Sequence, residues 1–243
     1  AYPMGHYNGT FPRAVRPGIE IHSLMAGISE AYNCDCMEFM RTLPDRFFDL
    51  AIVDPPYGIG EDGCRNATRN HEGKATHYRP YTGNDSEAPP REYFIELKRV
   101  SNNQIVWGAN HFISRLPVPS DTSCWIVWDK RNGNSPFADC ELAWTSFKTA
   151  VRMFSYRWNG MWQENMKNKE KRIHPNQKPV ALYEWLLQKY AKPGYKIFDS
   201  HLGSGSSRVA AYRSGFDFWG CELDTYYFTL QQQRFINECI TTY

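Results

Sequence analysis

Three observations predict an α/β fold with a mostly parallel sheet covered by helices on both faces. The last third of the chain alternates short apolar runs with amphipathic stretches, strand, helix, strand, helix, joined by short links. Such links between neighbouring strands require parallel pairing with right-handed crossovers. Earlier, Phe47-Phe48-Asp49-Leu50-Ala51-Ile52-Val53 is apolar at consecutive rather than alternate positions, as in a strand buried on both faces. The length, 243 residues, lies within the range of one α/β domain with one large core.

In chain order, residues 1–30 read as a loosely structured lead-in with Gly and Pro. Cys36 to Arg41 is predicted as a short helix after a turn at Asn33-Cys34-Asp35. The strand from Phe47 to Val53 must stop at Asp54-Pro55-Pro56, because proline lacks the donor a central strand needs. Residues 58–90 are polar and aperiodic, which marks disorder or a functional loop. Tyr93 to Val100 is helix-like. Gln104 to Trp107, Cys124 to Trp128 and Leu142 to Phe147 are strand-like. Phe137-Ala138-Asp139 and residues 157–173 read as irregular. Pro179 to Lys189 is a helix with proline near its start. Then come a strand (Tyr195 to Phe198), a helix (Ser204 to Arg213), a strand (Phe216 to Cys221) and a helix (Thr225 to Glu238). No repeat or low-complexity tract interrupts the chain, so residues 1–243 are read as a single domain.

Composition excludes more than it selects. The net charge of +2 does not announce a nucleic-acid binder, but charge position matters more than the sum, and Lys167, Lys169, Lys171 and Arg172 cluster. Aromatics reach 15%, enough to fill a core and to leave rings for stacking on bases. The seven cysteines are scattered, and only Cys34 and Cys36 are close. Neither they nor the seven histidines show zinc spacing, so no metal is expected. No apolar run approaches the roughly 18 residues that span a membrane. With no secretory pattern and unpaired cysteines, a cytoplasmic setting with reduced thiols is expected.

Two motifs carry chemistry. Asp199-Ser200-His201-Leu202-Gly203-Ser204-Gly205 follows a strand and opens a helix. Its glycines allow a tight turn and close approach to a ligand, as well as an ordinary strand-to-helix link. Glu222 stands 17 residues after Gly205, at the end of the next strand. A carboxylate there is either a solvated strand end or an acceptor for both hydroxyls of a ribose, and the glycine loop upstream favours the ribose.

The second motif, Asp54-Pro55-Pro56-Tyr57, stands at the carboxyl end of a buried strand, where ligands of open α/β sheets sit. An amine on an aromatic ring is a poor nucleophile, because its lone pair is delocalised. The Asp54 carboxylate and the Pro55 carbonyl could each accept one N–H and draw that nitrogen toward tetrahedral geometry. The two prolines would stiffen the turn, and Tyr57 could stack on the base. Taken alone, the four residues fit a proline-rich strand exit capped by Asp54 equally well.

Together, the two motifs resemble the amino-methyltransferases of DNA. The order, catalytic motif first and cofactor loop last, is similar to the beta group of that family, a circular permutation of the Rossmann-like S-adenosylmethionine-dependent methyltransferases. The similarity covers roughly residues 31–240. It implies S-adenosylmethionine as cofactor, DNA methylation of the restriction–modification kind, and N6 of adenine as the target, since N4-cytosine enzymes more often carry Ser at the first motif position. It assigns Asp35 to the cofactor adenine, Glu222 to the ribose and Asp199 to the methionine ammonium. It sets Gly203, Ser204 and Gly205 in the cofactor loop, and Lys178, within His174-Pro175-Asn176-Gln177-Lys178-Pro179, over the methionine part. Ser200-His201 departs from the family's usual Pro-Phe, and His201 is read as a wall of the cofactor pocket.

A paired base must be flipped out, or met single-stranded, before its amino group can react. Double-stranded DNA is the expected partner. Insertions at about 58–90 and 157–173 are expected to hold it through Arg65, Arg69, Lys74, Arg79, Lys167 and Lys171, although any one cation is as readily a solvated charge. Little room remains for a recognition domain, so a short target site or a homodimer follows. The same chemistry on cytosine N4, RNA or protein glutamine, and a non-catalytic nucleic-acid-binding homologue, stand as alternatives.

Overall fold

The computed structural model describes residues 27–61, 78–81, 85–117, 119–133, 138–159 and 162–241. Ten strands are formed among them: β1 (Ser29–Asn33), β2 (Phe48–Val53), β3 (Ser101–Trp107), β4 (Ile126–Asp129), β5 (Cys140–Thr145), β6 (Arg152–Ser155), β7 (Trp158–Asn159), β8 (Trp162–Gln163), β9 (Lys196–Asp199) and β10 (Asp217–Glu222). The α-helices are α1 (Cys36–Arg41), α2 (Arg91–Val100), α3 (Val180–Tyr190), α4 (Ser206–Arg213) and α5 (Thr225–Phe235).

Eight strands join one sheet in the order β1-β10-β9-β2-β3-β5-β4-β6, and β7 and β8 form a separate hairpin. From β1 through β3 every neighbour is parallel. Only β5 runs against its two neighbours. This is the mostly parallel sheet that the chain's rhythm predicts.

Side-chain alternation along the strands splits the core in two. Leu50, Ile52, Ile105, Trp107 and Ile197 face one way and pack against α3 and α4. Ala51, Val53, Val106 and Phe198 face the other way and pack against α1 and α2. Helices therefore cover both faces, and β2, buried on each side, reads as a continuous apolar run for that reason.

Some expectations are corrected at the edges. The lead-in does not run to residue 30, because Ser29 and Glu30 already pair with Phe218 and Trp219 in β1. This edge strand, Ser-Glu-Ala-Tyr-Asn, is only partly buried, so it carries no apolar run. β6 is the opposite edge, with Met153 65% exposed, and gave no strand signal. Residues 157–173 are not irregular throughout, for Trp158 and Asn159 pair with Gln163 and Trp162. α5 ends at Phe235, three residues before the expected end, and continues as a π-turn over Ile236–Ile240.

One pairing positions the site. β2 lies directly beside β9, with Leu50 opposite Ile197 and Ala51 opposite Phe198. Asp54 and the loop beginning at Ser200 therefore leave the same edge of the sheet side by side. Among the described residues no helix is long and apolar enough to cross a membrane, and no group of three or more His, Cys, Asp or Glu could hold a metal ion. The six described cysteines are free, and Cys64 lies outside the described residues.

Candidate active site

A cavity of about 1860 Å³ opens where β2, β9 and β10 end. Its walls include Asp35, Asp54, Tyr57, Gly203, Glu222 and Lys178.

The turn after β2 is held from below. The Asp85 carboxylate accepts the backbone N–H groups of Tyr57 (2.5 Å), Gly58 (2.9 Å), Ile59 (3.3 Å) and Glu61 (2.9 Å). Asp85 is 2% exposed, and four N–H dipoles on one carboxylate offset the cost of burying it. From the side, the turn is held by Gly108, just past β3. A Cβ at position 108 would lie 2.1 Å from Cε1 of Tyr57, and φ is +70° there, so only glycine lets the tyrosine ring lie against this backbone. The ring also stacks on His111, at 5.3 Å between centroids and 17° between planes.

Above this turn lies a cluster of buried charge. Tyr57 Oη donates to Asp54 Oδ1 at 2.8 Å. Lys178 Nζ donates to Asp54 Oδ2 at 2.7 Å, to Glu141 Oε2 at 2.8 Å and to Tyr57 Oη at 3.1 Å. Lys130 closes the chain on the far side with Glu141 Oε1. The Lys178 side chain is only 5% exposed, and burial alone would push its pKa down. Asp54 and Glu141 overcome that and raise it, so the group is an ammonium. Burial also pushes Glu141 up, but Lys178 and Lys130 win and hold it at about 2. For Asp54 the balance falls the other way. Burial raises its pKa above the usual carboxylate range, with Glu141 adding to the rise, and Lys178 recovers only part of it.

The second half of the cavity is the loop after β9. Gly203 (φ +51°) and Gly205 (φ +74°) adopt the left-handed conformation expected of them. The Gly203 N–H donates to Glu222 Oε2 at 2.7 Å, and the Asp224 N–H donates to Glu222 Oε1 at 2.8 Å. The glutamate is thereby fixed at the rim of the loop. Ser204 and His201 also line the cavity. His201 Nδ1 lies 2.8 Å from Ser200 Oγ, which lies 2.6 Å from the Tyr93 hydroxyl, and burial pushes the imidazole pKa down to about 4. Asp35 caps α1 by accepting the Met37 N–H at 2.6 Å while facing the cavity.

Not every expected residue meets here. Asp199 and Gly205 are not in the cavity wall. The Asp199 carboxylate is taken up by the loop itself, accepting the His201 N–H at 3.0 Å and the Ser207 hydroxyl at 2.5 Å. Buried at 1% exposure, its pKa rises to about 7. Lys178 lines the same cavity, and its ammonium contacts Asp54. Lys167, Lys171 and Arg79 are exposed, and the Arg79 guanidinium stands 5.2 Å from the Tyr226 ring centre. Arg65, Arg69 and Lys74 lie outside the described residues.

Four residues of the site escape sequence reasoning: Asp85, Gly108, Lys130 and Glu141. Glu141 left a signal, since a carboxylate in an otherwise apolar strand requires a buried partner. Asp85 left none, because its contacts are 24 to 28 residues away in a polar loop.

A family model for DNA methylases of the N6/N4 type matches residues 94–233. The Type II methyltransferase M.HinfI of Haemophilus influenzae is 24% identical over 246 residues, which cover 82% of this chain and 66% of that protein. Among solved structures, M1.HpyAVI bound to S-adenosylmethionine superposes with a TM-score of 0.54 at 22% identity, over 84% of this chain and 98% of that one. The cytosine-N4-specific PvuII DNA methyltransferase superposes with a TM-score of 0.58 at 14% identity, over 89% of each chain. At these identities the structural likeness is one of fold, whereas the family model spans more than half of the sequence. With the Asp54 turn and the glycine loop on one cavity, the chain belongs to the N6/N4-type DNA methylase family.

Proposed function

We propose that this chain transfers a methyl group from S-adenosylmethionine to the N6 amino group of adenine in DNA, with Asp54, Pro55, Pro56 and Tyr57 as the catalytic residues. One observation carries the reading: the Asp54 turn and the Gly203–Glu222 pair open on the same cavity. Its volume exceeds the roughly 300–1,000 Å³ of a typical small-molecule site, which leaves room for a base beside a cofactor.

The residues fit the cofactor. Glu222, held by two backbone N–H groups, keeps lone pairs for the ribose hydroxyls. Asp35, with Met37 and Leu223 nearby in the wall, suits an adenine. Gly203, Ser204 and His201 would flank the methionine part, with Gly205 and Asp199 shaping the loop behind them. When bound, S-adenosylmethionine supplies a methyl group on a sulfonium whose sulfur leaves as a neutral thioether. Asp54 accepts one hydrogen of the target amine and the Pro55 carbonyl the other, which localises the nitrogen lone pair. Burial makes Asp54 a stronger base than a free carboxylate, so it is suited to take the proton the amine sheds. For Tyr57 to stack on the extruded base, the base would have to take the place of His111 on its ring.

Double-stranded DNA is the proposed substrate, reached by base flipping, with Arg79, Lys167 and Lys171 on its phosphates. The arrangement is read as circularly permuted, since the catalytic strand precedes the glycine-loop strand in sequence yet pairs with it. A homodimer in a bacterial or phage-infected cytoplasm, serving restriction–modification, completes the proposal. M.HinfI is a Type II methyltransferase, which supports that setting.

The test is transfer of radiolabelled methyl from S-adenosylmethionine to duplex DNA, followed by hydrolysis and separation of the bases. N6-methyladenine is expected. N4-methylcytosine would replace adenine by cytosine and keep the mechanism. The Asp54→Ala variant should retain cofactor binding and lose transfer, and retained activity would sink the assignment.

A further inference from the structure

Each oxygen of Asp54 already holds one donor. Its Oδ1 accepts the Tyr57 hydroxyl and its Oδ2 accepts the Lys178 ammonium. Each oxygen keeps a second lone pair, but a base amino group that approaches Oδ2 to give Asp54 a hydrogen, as proposed above, meets the Lys178 ammonium there. Tyr57 is wedged against Gly108 and stacked on His111. Lys178 reaches Asp54 on a flexible stem. A buried cation cannot leave a carboxylate without another to receive it, because an uncompensated buried charge is strongly destabilising.

Glu141 supplies that receiver. It accepts the same ammonium at 2.8 Å, and Lys130 on its other oxygen keeps it ionised. An ammonium has three hydrogens, and here they go to Asp54, Glu141 and the Tyr57 hydroxyl. The Lys178 Nζ therefore occupies one donor position of Asp54 Oδ2, a place an incoming amine could take.

We propose that the Lys178 ammonium is an internal stand-in for the target amine, and that Glu141 is a positioning residue that holds Lys178 when the base takes its place on Asp54. The inference rests on the methyl-transfer reading and goes beyond it by giving β5 a part in base entry. Lys178 leaves Asp54 without leaving its carboxylate cluster, and it returns when the methylated base departs.

The experiment compares wild type with Glu141→Gln, Glu141→Asp, Lys178→Gln and the double variant Glu141→Gln/Lys178→Gln. Methyl transfer to DNA is measured as kcat and KM, and S-adenosylmethionine affinity by calorimetry. Glu141→Gln leaves Lys178 dependent on Asp54 alone. Cofactor affinity is expected to hold, while kcat/KM for DNA falls about ten- to hundredfold, the equivalent of one hydrogen bond to a charged group. Glu141→Asp should recover most of the loss. On the Lys178→Gln background the Glu141→Gln change should cost little further, because Glu141 acts through the lysine.

Wild-type Glu141→Gln kinetics would overturn the inference, and so would losses that simply multiply in the double variant. If Lys178→Gln does not fold, the aspartate variant decides, and failure to rescue overturns the inference. A wild-type enzyme that methylates no DNA base would instead sink the functional reading.

Discussion

Asp85 shows how one residue controls a turn it does not belong to. Its carboxylate gathers four N–H groups from the segment after Pro56, and so sets where the Tyr57 ring and the Pro55 carbonyl stand. Asp85→Ala would leave those donors without their buried acceptor. We expect a loss of about 1–3 kcal/mol in stability and a fall in kcat for methyl transfer, with cofactor affinity retained. Chemical denaturation and calorimetry check it, and wild-type kcat in a folded Asp85→Ala protein would contradict the role. Asp54, Tyr57, Gly203 and Glu222 were legible as candidates in the chain because a proline turn after a buried strand, and a glycine loop followed by an acidic strand end, can be read from residue types at short spacing. Asp85 and Gly108 were not, because an acceptor or a missing side chain is needed only where another segment arrives.

Among the elements, the join between β2 and β9 matters most, since it sets the two motifs side by side. Beyond the ladder it is held by Phe48 and Phe198, stacked at 4.5 Å with 2° between planes, neither of them exposed. Phe198→Ala should cost about 3–5 kcal/mol by the usual cost of emptying an aromatic core position. Urea unfolding measures this, and a loss under about 1 kcal/mol would mean the stack does not hold the join. Strand legibility followed burial. β2, β9 and β10 are covered on both faces and announce themselves as apolar runs. β1 and β6 lie at the two edges of the sheet, where half-exposed side chains need not be apolar, so their sequence carries no period.

For the molecule as a whole, the buried titratable groups around the cavity set its response to acid. Burial against Tyr227 and Tyr81 pushes His174 down to about 3, from an unfolded value near 6.5. Between those values the unfolded chain binds a proton that the native ring refuses, so this contribution to stability is present above about pH 6.5 and is lost as pH falls toward 3. His201 acts in the same direction down to about 4. Asp199, raised to about 7, opposes both, because the native carboxyl keeps a proton that the unfolded chain releases above about 4. Removing one histidine should therefore flatten the acid side of the stability curve. His174→Gln is expected to lose melting temperature more slowly than wild type between pH 6.5 and about 4. Parallel curves for the two proteins would rule out a neutral buried His174.

The sequence by itself determined the class of fold, the parallel core strands, the glycine loop and the Asp54 motif. These depend on local periodicity, and on residue types whose chemistry acts within a few positions. Only the tertiary structure decided that the Lys178 ammonium sits on Asp54, that Asp199 turns inward, and that Glu141, Lys130, Asp85 and Gly108 belong to the site. Their positions follow from which strands become neighbours. A buried charge or a forbidden Cβ acquires its meaning only from the segment packed against it.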